Sequence, residues 1–151
     1  MLHIALFEPE IPPNTGNVAR LCAATGSRLH LIGKLGFTID DKQLKRAGLD
    51  YWPHVDWVHH QTLEDFLAAA GRPRVWCVET PAPALYTQAR FQDGDALLFG
   101  RESVGLPGEV RERFAATLIG IPMPTGNVRS LNLSTAVGVV VYEALRQLHG
   151  W

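Results

Sequence analysis

IPMPTGNVRSLNLS, residues 121–134, runs from an apolar segment through a loop of proline, glycine and asparagine into the polar start of a helix. Three of its residues stiffen or turn the backbone: Pro122, Pro124 and Gly126. Arg129 adds a fixed charge. Short hydrogen-bonding side chains precede the apolar helical pattern at Ser130, Asn132 and Ser134. A long turn with a helix cap would use the same residues, so this stretch alone leaves a binding loop and a simple connection equally open.

Two other segments have the same character, EPEIPPNTGNVARLCAATG at residues 8–26 and LLFGRESVGLPGE at residues 97–109. Each contains a short apolar run or follows one, carries glycine and proline beside polar side chains, and leads into a helical pattern. In an open α/β sheet, ligands bind in the crevice at the carboxyl ends of the strands. Three such loops in one chain therefore favour one shared site.

Apolar runs alternate with helical patterns along the chain. Strands are predicted at residues 3–7, 28–32, 55–58, 75–78, 96–99 and 117–120, and helices at residues 15–25, 41–47, 62–70, 107–114 and 132–148. Gly26 is typical of a helix stop, and Thr62 with Asp65 resembles a capping box. The alternation predicts one α/β domain over residues 1–151, with a mostly parallel sheet flanked by helices on both faces. The apolar stripe of the last helix is wide enough for core burial or for an added subunit contact.

The composition is that of a soluble globular protein, with 151 residues, 46% hydrophobic and 19% charged. A net charge of −1 gives no overall basic surface, so any contact with nucleic acid must use a local patch. Cys22 and Cys77 have no metal-ligand spacing and are expected to be buried thiols. The N-terminus lacks a basic leader, and no apolar run approaches the ~18 residues of a membrane span, so a cytoplasmic location without membrane attachment is expected.

Several common motifs are missing from the sequence. Neither the glycine pattern of dinucleotide-binding folds nor that of the P-loop occurs. In GRESVG at residues 100–105, Ser103 does not stand in a G-x-S-x-G pattern, which argues against a serine hydrolase. His59 and His60 are adjacent and are expected to be exposed loop residues, and no metal site is predicted.

The three loops together resemble the motifs of a known enzyme family. The matching patterns are N-T-G-N-x-x-R-L-C-A-x-T-G at residues 14–26, F-G-x-E-S-x-G-L-P at residues 99–107, and I-P-M with R-S-L-N-L-S-x-A-V within residues 121–137. LKRAGLDYW at residues 44–52 and YEALRQL at residues 142–148 add to the match. The chain thus resembles SPOUT-superfamily RNA 2′-O-methyltransferases, most closely the branch that acts on the wobble nucleotide of tRNA.

This resemblance implies a SPOUT fold whose C-terminal part forms a deep trefoil knot, an arrangement that pattern reading alone would not suggest. It also implies that S-adenosylmethionine binds in the knot and leaves as S-adenosylhomocysteine. The corresponding cofactor residues are Val78, Glu79, Thr80, Gly100, Ile121, Met123, Ser130 and Leu131. In such a pocket glycine permits close approach and apolar side chains cover the rings. Residues 124–128 depart from the tighter turn of the family.

The implied reaction, of EC class 2.1.1, methylates the ribose 2′-hydroxyl of a wobble cytidine or modified uridine, with leucine tRNAs as expected substrates. Arg20 corresponds to the residue implicated in catalysis by the family. Because an arginine stays charged at neutral pH, we favour a clamp on the substrate phosphate that stabilises the developing alkoxide over a literal general base. Asn14 is expected to orient Arg20. The implied catalytic set is completed by Glu102, Ser130 and Asn132.

RNA binding is expected to use a basic stripe on one helix face, formed by Lys42, Lys45 and Arg46, together with Arg129. The aromatic pair Tyr51 and Trp52 follows this stripe. A solvated helix face would show the same charges. Family members are homodimers with the active site at the subunit interface, and two copies would widen the basic surface.

Two other functions stay open at the level of the sequence. The first is methylation of another nucleotide in tRNA or ribosomal RNA. The second is a non-catalytic module that binds RNA or a nucleotide. The joint presence of Asn14, Arg20, Glu102 and Asn132 favours catalysis over the second alternative, although each of them alone could be a helix cap or a solvated residue.

Overall fold

A parallel sheet of seven strands organises the computed structural model, which describes residues 1–40, 42, 44, 46 and 49–151. The strand order is β3-β2-β1-β6-β4-β7-β5, and neighbouring strands pair in parallel throughout the sheet. The strands are β1 His3–Phe7, β2 Arg28–Ile32, β3 Trp57–His60, β4 Val75–Val78, β5 Ala84–Leu85, β6 Ala96–Phe99 and β7 Leu118–Gly120. The predicted parallel α/β class is confirmed.

The α-helices that have both ends within the described residues are α1 Pro12–Thr25, α2 Leu63–Ala69, α3 Gly108–Arg113 and α4 Leu133–His149. Short 3₁₀-helices lie at Leu49–His54, Tyr86–Gln88 and Ala115–Thr117. Within the described part of the chain, no helix is both long and apolar enough to cross a membrane.

Helices cover both faces of the sheet because successive strand side chains point to opposite sides. On one face, Leu6 and Leu97 belong to a buried cluster with residues of α1 and α4. On the other face, Ala5 and Leu98 pack with residues of α2 and α3. Helices on both faces were predicted, and this prediction is confirmed.

The strand order opens a crevice at the carboxyl edge of the sheet. The chain leaves β1 toward α1 on one face, whereas the neighbouring strand β6 leads to α3 on the other face. Loops that diverge from adjacent parallel strands leave space between them, and such a switch point is where ligands of open α/β sheets bind. The trefoil knot itself stays a prediction.

Local signals placed most of the predicted helix ends correctly. Gly26 ends α1 with φ of 71°, and the hydroxyl of Thr62 accepts the backbone N–H of Asp65 at 3.1 Å. Helix α1 begins at Pro12, earlier than predicted, because proline fits the first helical turn where no N–H is required. The predicted helix at residues 41–47 lies largely outside the described residues.

Two strands differ from their predictions. The third strand was predicted at residues 55–58 and lies at Trp57–His60, so its pairing begins two residues later. Strand β5, Ala84–Leu85, was not predicted, because two residues carry no readable alternation.

The interpretation of His60 as an exposed loop residue is wrong. His60 is buried in β3, and His59, although exposed, is also a strand residue. His30 on β2 is 1% exposed and lies between two other imidazoles, with His3 at 2.9 Å and His60 at 2.9 Å. We call His3, His30 and His60 the histidine row. Burial, together with the neighbouring His3, His60 and Arg28, lowers the pKa of His30 to about 3.

Candidate active site

A cleft of about 530 Å³ lies at the carboxyl edge of the sheet. Its walls come from the segments after β4, β6 and β7, from the first turn of α1 and from the start of α4. The three loops singled out in the sequence therefore meet around one space, because the carboxyl ends of parallel strands share one edge.

All eight predicted cofactor residues line this cleft: Val78, Glu79, Thr80, Gly100, Ile121, Met123, Ser130 and Leu131. They belong to segments that are far apart in the chain, and the sheet order brings them together. Residues 124–128, where a departure from the family was predicted, do not line the cleft and are exposed.

Gly100 allows the loop after β6 to fold back on itself. A Cβ at position 100 would lie 2.3 Å from the backbone carbon of Gly105 and 2.3 Å from the nitrogen of Leu106. The returning chain is held by paired backbone hydrogen bonds between Arg101 and Gly105, at 3.2 and 2.8 Å. No side chain fits at position 100 without moving backbone atoms, and close approach of the cofactor to Gly100 stays a prediction.

Glu79 ties the ends of three strands together at the floor of the cleft. Its backbone N–H donates to Ile119 at 3.0 Å, and its carboxylate accepts the N–H of Leu106. A Cβ at Gly120 would lie 2.7 Å from the Glu79 carbonyl oxygen, so β7 approaches β4 closely at this point. The cleft floor is thus fixed both by backbone packing between β4 and β7 and by the carboxylate of Glu79.

Asn132 connects the start of α4 to α1. Its Oδ1 accepts the N–H of Ser134 at 3.0 Å and caps the helix. Because this oxygen must face the helix, the amide nitrogen faces the other way and donates to Oδ1 of Asn14 at 3.0 Å. Two predicted catalytic residues, 118 positions apart in sequence, are therefore in direct contact.

Glu102 connects the loop after β6 to the segment before α1. Its carboxylate accepts the backbone N–H groups of Glu10 and Ile11. In return, the carboxylate of Glu10 accepts the hydroxyl and N–H of Ser103, at 2.7 and 2.9 Å. These two bonds, first that to the hydroxyl, lower the pKa of Glu10. The reciprocal contacts fix two of the three loops relative to each other.

Arg20 does not line the cleft of its own chain. It is exposed on α1, and its guanidinium carbon lies 4.8 Å from the ring centroid of Tyr51. Asn14 bonds Asn132 instead of Arg20. Six residues along a helix correspond to a rotation of roughly 120° away from the starting face, so the two side chains point in different directions. The structure does not bring Arg20 to Asn14 as expected.

The predicted RNA-binding residues fall in two places. Lys42 and Arg46 are exposed and helical, and Lys45 lies outside the described residues. Arg129 lines the cleft. Of the two aromatic residues expected beside the stripe, Trp52 packs on Trp57 at 5.4 Å between ring centroids and so belongs to the fold.

Several lining residues were not predicted as site residues. Arg101 in the loop after β6 and Arg111 on α3 line the cleft together with Arg129. Ser103 and Gly105 belong to the quoted motif, but no role was predicted for either of them. The sequence feature that could have indicated both is G-L-P, which begins at Gly105. Nothing in the pattern of α3 indicated Arg111, because an arginine in the last turn of a helix is common. No cluster of three or more potential metal ligands occurs among the residues that the structure describes.

Comparison with known proteins places the chain in a family. The model of the SpoU rRNA Methylase family matches residues 1–142. A tRNA (cytidine(34)-2′-O)-methyltransferase of Escherichia coli strain K12 is 50% identical over 149 residues, covering 98% of this chain and 94% of the relative. A structure solved to study the 2-OH methylation of C/U34 on tRNA superposes with a TM-score of 0.95 at 56% identity, covering 100% of this chain and 98% of that one.

A further solved structure shows a cofactor on the same fold. The S-adenosylmethionine-bound rRNA methyltransferase of Sinorhizobium meliloti has a TM-score of 0.86 at 27% identity, and the match covers 97% of this chain and 56% of that one. A family match over most of the chain, full-length relatives at half identity and a cleft built from the three expected motifs agree with one another. The chain belongs to the SpoU rRNA Methylase family.

Proposed function

We propose that the protein transfers a methyl group from S-adenosylmethionine to the ribose 2′-hydroxyl of the wobble nucleotide of tRNA. The observation that carries the proposal is the meeting of all eight cofactor residues and four of the five catalytic residues in one cleft. Relatives that match nearly the whole chain carry the name of this activity.

The cleft suits the cofactor in size and chemistry. About 530 Å³ lies within the usual range of small-molecule sites. Ile121, Met123 and Leu131 offer apolar cover for an adenine ring, while the strand ends at Glu79 and Gly100 offer backbone groups. When bound, S-adenosylmethionine supplies a methyl group on a sulfonium, and the neutral thioether S-adenosylhomocysteine is left.

The chain's own residues position the attacking hydroxyl. Ser130 and Asn132 stand at the cleft wall beside Asn14 and can hydrogen-bond the ribose. Arg20 clamps the adjacent phosphate and stabilises the oxygen as its proton passes to solvent water. Glu102 acts on these groups indirectly, since its carboxylate is taken up by the N–H groups before α1.

Substrate RNA is held by local positive charge. The exposed side chains of Lys42 and Arg46 contribute to the outer basic stripe, and Arg129 with Arg111 brings charge to the cleft. Because Arg20 lies outside the cleft of its own chain, a homodimer with the active site between two copies accounts for its place. The tRNA substrate implies a cytoplasmic reaction.

The proposal is tested by incubating the protein and labelled S-adenosylmethionine with unmodified tRNA and locating the methyl group by nuclease digestion and mass spectrometry. We expect 2′-O-methylation at nucleotide 34, with leucine tRNAs as substrates. A methyl group on a base, on another nucleotide or only on ribosomal RNA would overturn the proposed specificity, and no transfer to any RNA would overturn the proposed activity.

The role of Arg20 is tested in the same assay with Arg20→Ala. We expect methylation to fall on the order of 10²-fold or more, as for the loss of other groups that stabilise a developing oxyanion, with S-adenosylmethionine affinity unchanged. Arg90→Ala, at another exposed arginine, is the matched control and keeps wild-type activity. Full activity of Arg20→Ala removes this residue from the mechanism.

A further inference from the structure

Arg20 and Tyr51 form a stacked pair on the surface of the protein. The guanidinium carbon of Arg20 lies 4.8 Å from the ring centroid of Tyr51. Both residues are exposed, Tyr51 to 41%. They belong to different elements, α1 and the 3₁₀ turn Leu49–His54, so neither is held near the other by chain connectivity.

The ring of Tyr51 stands on a firmly anchored turn. Trp52, the next residue, packs on Trp57 of β3 at 5.4 Å between ring centroids. Val55 is 9% exposed, and its backbone N–H donates to the Trp52 carbonyl at 3.1 Å. The turn is therefore fixed to both the core and the sheet, so the backbone that carries the Tyr51 ring is anchored.

An arginine on an exposed helix face needs a neighbouring group that restrains its side chain if its guanidinium is to stay in one position. Its side chain has four rotatable torsions and many conformers when nothing restrains it. A planar guanidinium stacks well on an aromatic face, and the attraction grows as water is removed from around the pair. The stacked conformer leaves the guanidinium edge, with its N–H donors, free to meet a phosphate.

We propose that Tyr51 is a positioning residue for Arg20, which rests on the proposed function and deepens it. The ring holds the guanidinium in the conformer that clamps the substrate, and Tyr51 itself touches neither cofactor nor the reacting atoms. The competing role for an exposed tyrosine beside a basic stripe is to stack on a tRNA base. That role needs an open ring face, and Arg20 covers one of the two faces.

The two roles separate in single-turnover methylation with enzyme in excess, so that slow rates are still measured. Tyr51→Leu replaces the ring with an apolar side chain, and Tyr51→Gln replaces it with a polar one. Tyr51→Phe keeps the ring. We expect both ringless variants to lower the rate at saturating tRNA roughly five- to thirtyfold, the range of a cation–π contact between exposed and desolvated sites. Tyr51→Phe keeps the wild-type rate, and S-adenosylmethionine affinity is unchanged in all three.

The decisive measurement repeats Tyr51→Leu in the Arg20→Ala background. If Tyr51 acts through Arg20, its removal changes the rate less than twofold there. An equal loss in both backgrounds, or weaker tRNA binding with an unchanged rate at saturation, overturns the inference and supports base stacking. A wild-type rate in Tyr51→Leu overturns it as well. Wild-type protein that methylates no tRNA contradicts the proposed function instead, so the two failures are distinguishable.

Discussion

At the scale of single residues, the side-chain amide of Asn132 makes two different contacts, one through its oxygen and one through its nitrogen. The oxygen caps α4, and the nitrogen reaches Asn14 across the cleft. The cap was readable from sequence, because a short polar residue before an apolar helical pattern has a local cause. The contact with Asn14 could not be predicted from the sequence, because it depends on which strands become neighbours. Likewise the motif identified Arg20, whereas its stacking on Tyr51 depends on the fold.

Substitution at Asn132 should separate its two tasks. Asn132→Ala loses the cap, and we expect the free energy of unfolding in urea to fall by about 1 kcal/mol. Asn132→Asp keeps an acceptor at the N-terminus of α4, so its stability should stay close to wild type, while the amide donor to Asn14 is lost. Methylation should fall in both variants. If Asn132→Asp is as unstable as Asn132→Ala, the helix cap is not the source of the stability.

At the scale of elements, the ends of strands and helices differed in how far sequence could define them. Thr62 and Gly26 marked helix ends through local chemistry, and each lies at or beside the observed end. Strand ends depend on pairing with a neighbour, which explains the shift of β3 and the missed β5. The fold-back of the loop after β6 could not be predicted from the sequence either, since Gly100 alone does not indicate which backbone segment will pack against it.

The fold-back predicts a sharp difference between two nearby glycines. Gly100→Ala would place a Cβ 2.3 Å from the returning backbone, so the loop must open and we expect S-adenosylmethionine affinity to fall at least tenfold by calorimetry. Gly108→Ala is the matched control, because a Cβ there meets no atom within 4 Å and its φ is not left-handed. Equal affinities in the two variants would show that the loop after β6 does not shape the cofactor pocket.

At the scale of the whole molecule, the order of strands decides what sequence patterns alone leave open. The alternation of apolar runs and helical patterns predicted a parallel sheet, and the three loops predicted one shared site at its edge. No local signal places β6 between β1 and β4. The same order brings together the histidine row, whose members were separated in sequence by 27 and 30 residues. Histidine spacing along the chain carried no sign of it, because it arises from the register of β1, β2 and β3.

The histidine row predicts how stability depends on pH. Burial lowers the pKa of all three imidazoles, and Arg28 lowers each further, whereas Asp56 beside His3 and Asp65 beside His60 oppose the shift. His59 also lowers the pKa of His60. The unfolded chain therefore binds more protons below pH 6.5, so stability is fully present above that pH and is lost as pH falls toward 3.

For His30 alone, the free energy of unfolding should fall by about 2 kcal/mol between pH 7 and pH 5. Urea denaturation across this range measures it. His30→Leu removes the central titrating group and should flatten the pH dependence by about the same amount, whatever its stability at pH 7. Parallel curves for the two proteins would show that the central imidazole is not the group that titrates.

The contact between Asn14 and Asn132 also has a consequence for how the protein is made. One partner is translated near the beginning of the chain and the other 118 residues later. On the ribosome, the early strands can pair while the last wall of the cleft is still inside the exit tunnel. A nascent chain therefore has no complete cleft until the first residues of α4 have emerged, and it can hold its cofactor in this cleft only from then on.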